Sequence, residues 1–413
     1  MKKFKFSLCF LAVSLIFSLN TQAFAASAET VKFGAIVSMI GSDAPLGEEE
    51  KRAFDVGVEL LNSKEGINGH PVELLIVDGQ SKPEAFAVRA NRLLEENVLA
   101  AIGGEDISFV AAAGQVFEEG KTVFIDLAGT TPAIALVGDF VFMNPMPDND
   151  QARAIAKYAV DTLGYKKFTI FKDVGSTYGT VLTDYLTYYL KEFTGDKNAV
   201  PYIPSYNLGD TDFSSQITRL KPEISKNNIE VIILPTWPDE APLIAKQCRD
   251  LGIELPFIGT DGADTEVLTQ VGGNAVEGML LATHFDIEMD TLSPLFEEFA
   301  ELHKKRFGEY PGAFGALAFD ALVTASESVG YVINEKGEEW WKAASLADKR
   351  LALKNAMVKV ETSGTSQTLS FNEEGYAKRG LVWRVVKNGN RVFADFLPYA
   401  DYTPEGINTD PLK

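Results

Sequence analysis

The sequence predicts an α/β protein of two Rossmann-like lobes, each a parallel sheet covered by helices on both faces. Three observations carry this expectation. Short apolar runs alternate with amphipathic helical stretches, a proline-rich stretch interrupts the alternation once, and the alternation then starts again. A chain of 413 residues, 46% hydrophobic and 23% charged, has the length and apolar content for two full cores.

Residues 1–25 (MKKFKFSLCFLAVSLIFSLNTQAFA) set Lys2, Lys3 and Lys5 ahead of an apolar run and end in Ala23-Phe24-Ala25, the layout of a cleaved export signal. The run from Phe6 to Leu19 is about 14 residues, short of the roughly 20 that span a bilayer. Cleavage removes Cys9, leaves Cys248 with no intramolecular partner, and takes the formal charge from −20 to −23. An exported chain without a disulfide must be held by its cores. Its negative surface repels phosphate backbones, so nucleic acid is excluded as a partner. Asp320 and Glu327 interrupt the longest later apolar run, Phe314 to Ile333, so no second membrane span is expected.

Val31 to Met39, Val72 to Asp78, Val98 to Ile102 and Thr122 to Asp126 are short apolar runs of the kind that form buried parallel strands. Between them, Ala53, Phe54, Gly57, Val58 and Leu61 share one helical face, and Phe86, Ala87, Ala90, Leu93 and Leu94 share another behind Pro83. Met143-Asn144-Pro145-Met146-Pro147 fits a crossing between lobes. Phe168 to Lys172, Val231 to Leu234 and Phe257 to Gly259 restart the strand pattern, and helices near Leu292–Phe307 and Phe314–Ile333 follow without strands among them.

Catalytic signatures are missing from the sequence. It holds no dinucleotide glycine fingerprint, no Walker loop and no paired histidines, and Gly175-Ser176-Thr177-Tyr178-Gly179 has Val174 where a hydrolase elbow needs glycine. No enzyme activity, cofactor or metal is expected. Small, hydroxylated and aromatic residues instead follow four strand ends: Gly103 to Ser108, Leu127 to Pro132, Pro235 to Pro238, and Thr260 to Gly262. In open α/β sheets ligands bind at those carboxyl ends, where helix N-termini offer N–H groups.

These motifs, with Gly41 to Gly47, Gly66-Ile67-Asn68-Gly69, Ala128-Gly129-Thr130-Thr131-Pro132, Ser176 to Gly179, Asp212-Phe213-Ser214 and Gly259 to Gly262 in this order, resemble the periplasmic branched-chain amino-acid-binding proteins. The resemblance implies the type I periplasmic binding protein fold, with lobes joined by a multi-strand hinge. It places the first lobe at 30–146 and 283–360 and the second at 147–282 and 361–400. It further implies a monomeric periplasmic receptor that closes on an amino acid or related amine and delivers it to the membrane permease of an ABC transporter; the same fold also serves ligand sensors.

Carried over residue by residue, Ala128 and Thr130 match the loop that holds part of the carboxylate and ammonium. Tyr178, Trp237 and Asp261 match the opposite wall, with Asp261 as the ammonium partner. Where the family has small hydroxyl residues, this chain reads Glu105-Asp106-Ile107-Ser108. On one reading Asp106 caps the helix from Ile107 to Glu119 and Ser108 touches the ligand. On the other, Asp106 enters the cleft and selects a cationic or amide ligand. The family's disulfide positions fall near Gln80 and Glu105, so that loop is expected to be set differently.

Overall fold

The computed structural model describes residues 29–365 and 368–402; the export signal, 1–25, lies outside the described residues. The first apolar run forms β1 (Val31–Val37), in which Phe33, Ala35 and Val37 face one core and Ile36 the other. Gly34 sits where a Cβ would meet Leu93 at 2.7 Å, so the strand and the helix above it approach closely only because that side chain is missing. The chain continues through α1 (Ala44–Ser63), β2 (Val72–Asp78), α2 (Pro83–Glu95), β3 (Ala100–Gly103), α3 (Ile107–Glu119), β4 (Val123–Asp126) and β5 (Val141–Met143). The five strands form a parallel sheet in the order β2-β1-β3-β4-β5.

Beyond β5 come α4 (Asp148–Lys157), β6 (Phe168–Ile170), β7 (Lys172–Asp173), α5 (Thr177–Thr194), β8 (Ser205–Tyr206), α6 (Ser214–Asn227), β9 (Val231–Leu234), α7 (Glu240–Asp250), β10 (Phe257–Gly259), α8 (Glu266–Gly272) and β11 (Leu280–Thr283). Four helices follow, α9 (Pro294–Phe307), α10 (Ala313–Lys336), α11 (Glu338–Ala343) and α12 (Leu346–Met357), then the short pair β12 (Thr362–Ser363) and β13 (Thr368–Leu369). The hairpin β14 (Leu381–Lys387) and β15 (Asn390–Leu397) and the turn of helix α13 (Tyr399–Tyr402) close the described chain. The second sheet runs β15-β14-β11-β10-β9-β6. Its β6, β9, β10 and β11 are parallel, as expected, but the unforeseen hairpin adds an antiparallel edge.

Two expectations are corrected here. Residues 361–379 were placed in the second lobe, yet Leu369, Phe371 and Ala377 belong to the first core and Met143 bridges to Tyr376; only from Leu381 does the chain join the second sheet. The run around Phe314–Ile333 was judged too interrupted to span a membrane, whereas α10 is long and apolar enough by length and composition. Its apolar residues pack against α1 in the first core, and Asp320 is buried in an ion pair with Arg379 at 2.7 Å.

The chain therefore crosses between lobes near 144–148, 284–286 and 378–380, and buried polar contacts tie the crossings together. Arg379 donates to the carbonyl of Asn144 at 2.6 Å and to its side chain at 2.8 Å. Arg384 reaches Asp286 at 2.5 Å and Asp264 at 3.1 Å, and Arg391 pairs with Asp264 at 2.7 Å.

Candidate functional site

Both sheets turn the carboxyl ends of their parallel strands toward a shared, narrow cavity of about 20 Å³. Its first-lobe wall is built from Leu46 of α1, Glu105, Asp106 and Ile107 after β3, Ala128, Thr130 and Thr131 after β4, and Phe314 of α10. The second lobe contributes Tyr178 of α5, Trp237 after β9, and Asp261 and Gly262 after β10. Six of the seven residues nominated from sequence thus line one space: Asp106, Ala128, Thr130, Tyr178, Trp237 and Asp261.

Ser108 is the exception. It is exposed, and its hydroxyl donates to Asp106 at 2.6 Å instead of facing the cavity. Asp106 does cap α3, accepting the Ser108 backbone N–H at 2.8 Å, yet it also lines the cavity. The cap and the cavity position, set apart as alternatives in the sequence, coexist, because one carboxylate oxygen suffices for the cap.

Local sequence explains the second-lobe geometry. Ser176 caps α5 by accepting the Gly179 N–H at 3.0 Å, which accounts for the Ser-x-x-Gly pattern without nucleophilic chemistry and sets Tyr178 in the first turn. The Tyr178 hydroxyl donates to Asp261 at 2.7 Å and lies 2.6 Å from the hydroxyl of Thr260. Its ring meets Trp237 edge-on with centroids 5.5 Å apart. A Cβ on Gly262 would come within 2.6 Å of the Thr236 carbonyl, so only glycine lets these two strand-end loops touch.

Asp261 is 3% exposed. Burial alone would raise its pKa, but the imidazole of His284, 3.1 Å from its other oxygen, and the Tyr178 hydroxyl hold it below the usual carboxylate range. Tyr178, raised by burial and then by the Asp261 charge, stays a hydroxyl donor.

Acids on and behind the opposite wall, and Asp148 at the crossing beside it, are raised by burial. Glu105 accepts from the Ser38 N–H at 2.7 Å and lies 3.2 Å from its hydroxyl, and it is pushed up to about 8 by burial and then by Asp43. Behind it Glu50, buried against Glu105, is raised well above its ordinary value. Asp148, which accepts from Thr131 at 3.2 Å, is raised by burial to about 8. An acid neutral in the fold but ionised in the unfolded chain loses stability for the protein as pH rises from about 4.5 toward 8. Glu105→Gln, which cannot titrate, is therefore expected to raise the melting temperature over wild type at pH 8 and to gain less at pH 4.5; calorimetry at the two values checks this.

Sequence reasoning missed Phe314, the cavity role of Glu105, and His284. His284 follows a strand that the sequence reading did not identify, and a search for strand-end residues finds it once β11 is known.

Loops from two lobes on opposite walls of one cavity define a class, the bilobal solute receptors. A family model described as periplasmic binding protein matches residues 30–337. The chain belongs to the periplasmic binding protein family. It is 26% identical over 272 residues to the Leu/Ile/Val-binding protein of Citrobacter freundii, covering 66% of this chain and 71% of that one. The Leu/Ile/Val-binding protein of Escherichia coli K12 is 26% identical over 257 residues, covering 62% and 68%. Among solved structures, the leucine-binding protein LivK of Thermotoga maritima superposes with a TM-score of 0.78 at 27% identity over 89% of this chain and 99% of that one. The isoleucine complex of LivJ from Streptococcus pneumoniae gives 0.77 at 22% identity over the same shares, a likeness of fold. The resemblance to branched-chain amino-acid-binding proteins and the type I fold is borne out.

Proposed function

We propose that this chain is an exported periplasmic receptor of an ABC importer that captures an amino acid with an aliphatic side chain by closure of its lobes. The observation that carries the reading is the Asp261 carboxylate, charged, buried and held by Tyr178 and His284 on one wall of a cavity whose other wall presents Ala128 and Thr130. The α-ammonium binds Asp261, the carboxylate meets Thr130 and the N-terminal end of α3, and the side chain contacts Leu46, Phe314 and Trp237. Contacts from both lobes exist together only in the closed form, so the ligand favours closure, and a permease reads the closed shape. The relatives' bound amino acids and the Lys-led apolar leader support this reading.

A second reading has its own support. Besides Tyr178, the ionisable side chains lining the cavity are Glu105, Asp106 and Asp261, all acids. A ligand with an amide or a second cationic group in place of the carboxylate would suit Asp106.

A thermal-shift screen of refolded, ligand-stripped protein against aliphatic, acidic and basic amino acids, amides and simple amines separates the two. Ligand at 100 times its Kd adds about 2.7 kcal/mol of stability. The aliphatic reading expects L-leucine, L-isoleucine or L-valine to shift the melting temperature. Shifts confined to amines or amides would replace it with the second, and no shift from any amine-bearing compound would reject both.

A further inference from the structure

We infer that His284 is a positioning residue of the ligand site, an imidazole that aims the Asp261 carboxylate at the cavity from a segment that joins the lobes. The inference rests on the reading of Asp261 as the partner of the ligand's ammonium. His284 does not line the cavity. It directly follows Thr283, the last residue of β11 in the second sheet. It directly precedes Phe285, which belongs to the first core and meets Phe296 edge-on with centroids 4.9 Å apart. The ring is thus anchored on both sides at the second of the three crossings.

From there Nε2 stands 3.1 Å from Oδ2 of Asp261, while the Tyr178 hydroxyl takes Oδ1 at 2.7 Å. Each oxygen accepts from a different element, and two such bonds fix the plane of a carboxylate that a single bond would let rotate. The other ring nitrogen, Nδ1, is buried without a hydrogen-bond partner among the described residues. The contact with Asp261 is therefore the hydrogen bond that this ring makes among the described residues, and its placement serves that carboxylate. Because the ring is carried by a crossing, the aim of Asp261 depends on how that crossing is set between the lobes.

The test has two arms on the full mature protein. In the first, calorimetric titration with L-leucine compares wild type, His284→Ala, His284→Gln, Asp261→Asn and the double variant Asp261→Asn with His284→Ala. His284→Ala is expected to weaken binding about tenfold, a loss of the size of one hydrogen bond to a charged group. His284→Gln, whose amide N–H can replace Nε2, should recover binding to within about threefold. In the Asp261→Asn background the alanine change should alter Kd by less than about twofold, since residues acting through one another are not additive. Equal losses in both backgrounds, or no recovery with glutamine, would overturn the inference. The second arm needs no ligand: two-dimensional nitrogen NMR of the imidazole rings should find a proton on Nε2 of His284, with its signals displaced by Asp261→Asn. An Nε2 without a proton, or signals indifferent to that substitution, would likewise overturn it. Failure of wild type to bind L-leucine would count against the aliphatic ligand and leave the NMR arm to decide the role of His284.

Discussion

Asp261→Ala is expected to weaken an amine-bearing ligand by about 2 kcal/mol or more, roughly thirtyfold in Kd. The reason is the cost asymmetry of buried charge. An ammonium drawn into the closed cavity loses its hydration and regains it only from acceptors on the walls, and Asp261 is the acceptor there held below the usual carboxylate range. Removing it leaves the desolvation cost and takes away the compensation. Tyr178 and His284 would lose their shared acceptor as well, but this affects empty and loaded protein alike and appears as lower stability of the empty form. Titration of wild type and variant with L-leucine checks the prediction, with the melting temperature of the empty variant as control. An unchanged Kd would remove Asp261 from the site.

Arg384→Met is expected to destabilise the protein by about 3–5 kcal/mol, the range for breaking a buried ion pair by removing one partner. Arg384 is buried between Asp286 and Asp264, and methionine fills similar volume without the charge. Among the described residues Asp286 would be left with no cation in contact, while Asp264 keeps Arg391. Burial opposes ionisation of Asp264, but Arg384 and Arg391 overcome it and lower its pKa to about 2. A depressed acid stabilises the fold above its unfolded pKa, near 3.9, and loses that contribution as pH falls through the folded value. The difference between wild type and variant should therefore be full above about pH 4 and shrink toward pH 2. Urea unfolding across that range measures it; a cost under about 1 kcal/mol at pH 7 would mean that the hinge pairs contribute little.

The sequence made the parallel strands legible because their burial on both faces leaves uninterrupted apolar runs, as in Val231–Leu234, whose bounds match the strand observed. The helix after Asp106 was equally plain, since a capping acid and an apolar face mark both its start and its course. Leu280–Thr283 was not, because a four-residue run carries little pattern of its own; the hairpin Leu381–Leu397 was overlooked although Asn388-Gly389 between its strands is a local turn signal, and only its pairing with β11, about 100 residues away, is beyond local pattern. In the site, Tyr178, Trp237 and Asp261 were readable as strand-end or helix-start residues of unusual type. Ser108 was misplaced because spacing along a loop does not tell which way a hydroxyl turns when a neighbouring carboxylate can accept it. Phe314 reaches the cavity from a helix nearly 200 residues downstream of the first-lobe loops it joins, a juxtaposition that only the fold creates.

The three crossings also bear on how the molecule comes to be. One face of the first sheet packs on α10, which ends at Lys336, and the second sheet is completed by a hairpin ending at Leu397. Neither lobe is contiguous: the core on one face of the first sheet is drawn from residues 36–143, but the core on the other face needs α10. Small domains made early in synthesis commonly fold as units while the rest is still emerging. Here residues 29–143 hold five strands and three α-helices with one face of their sheet covered, yet the apolar surface that α10 covers stays open until nearly 200 further residues are available. The first lobe is therefore expected to be completed only late in synthesis.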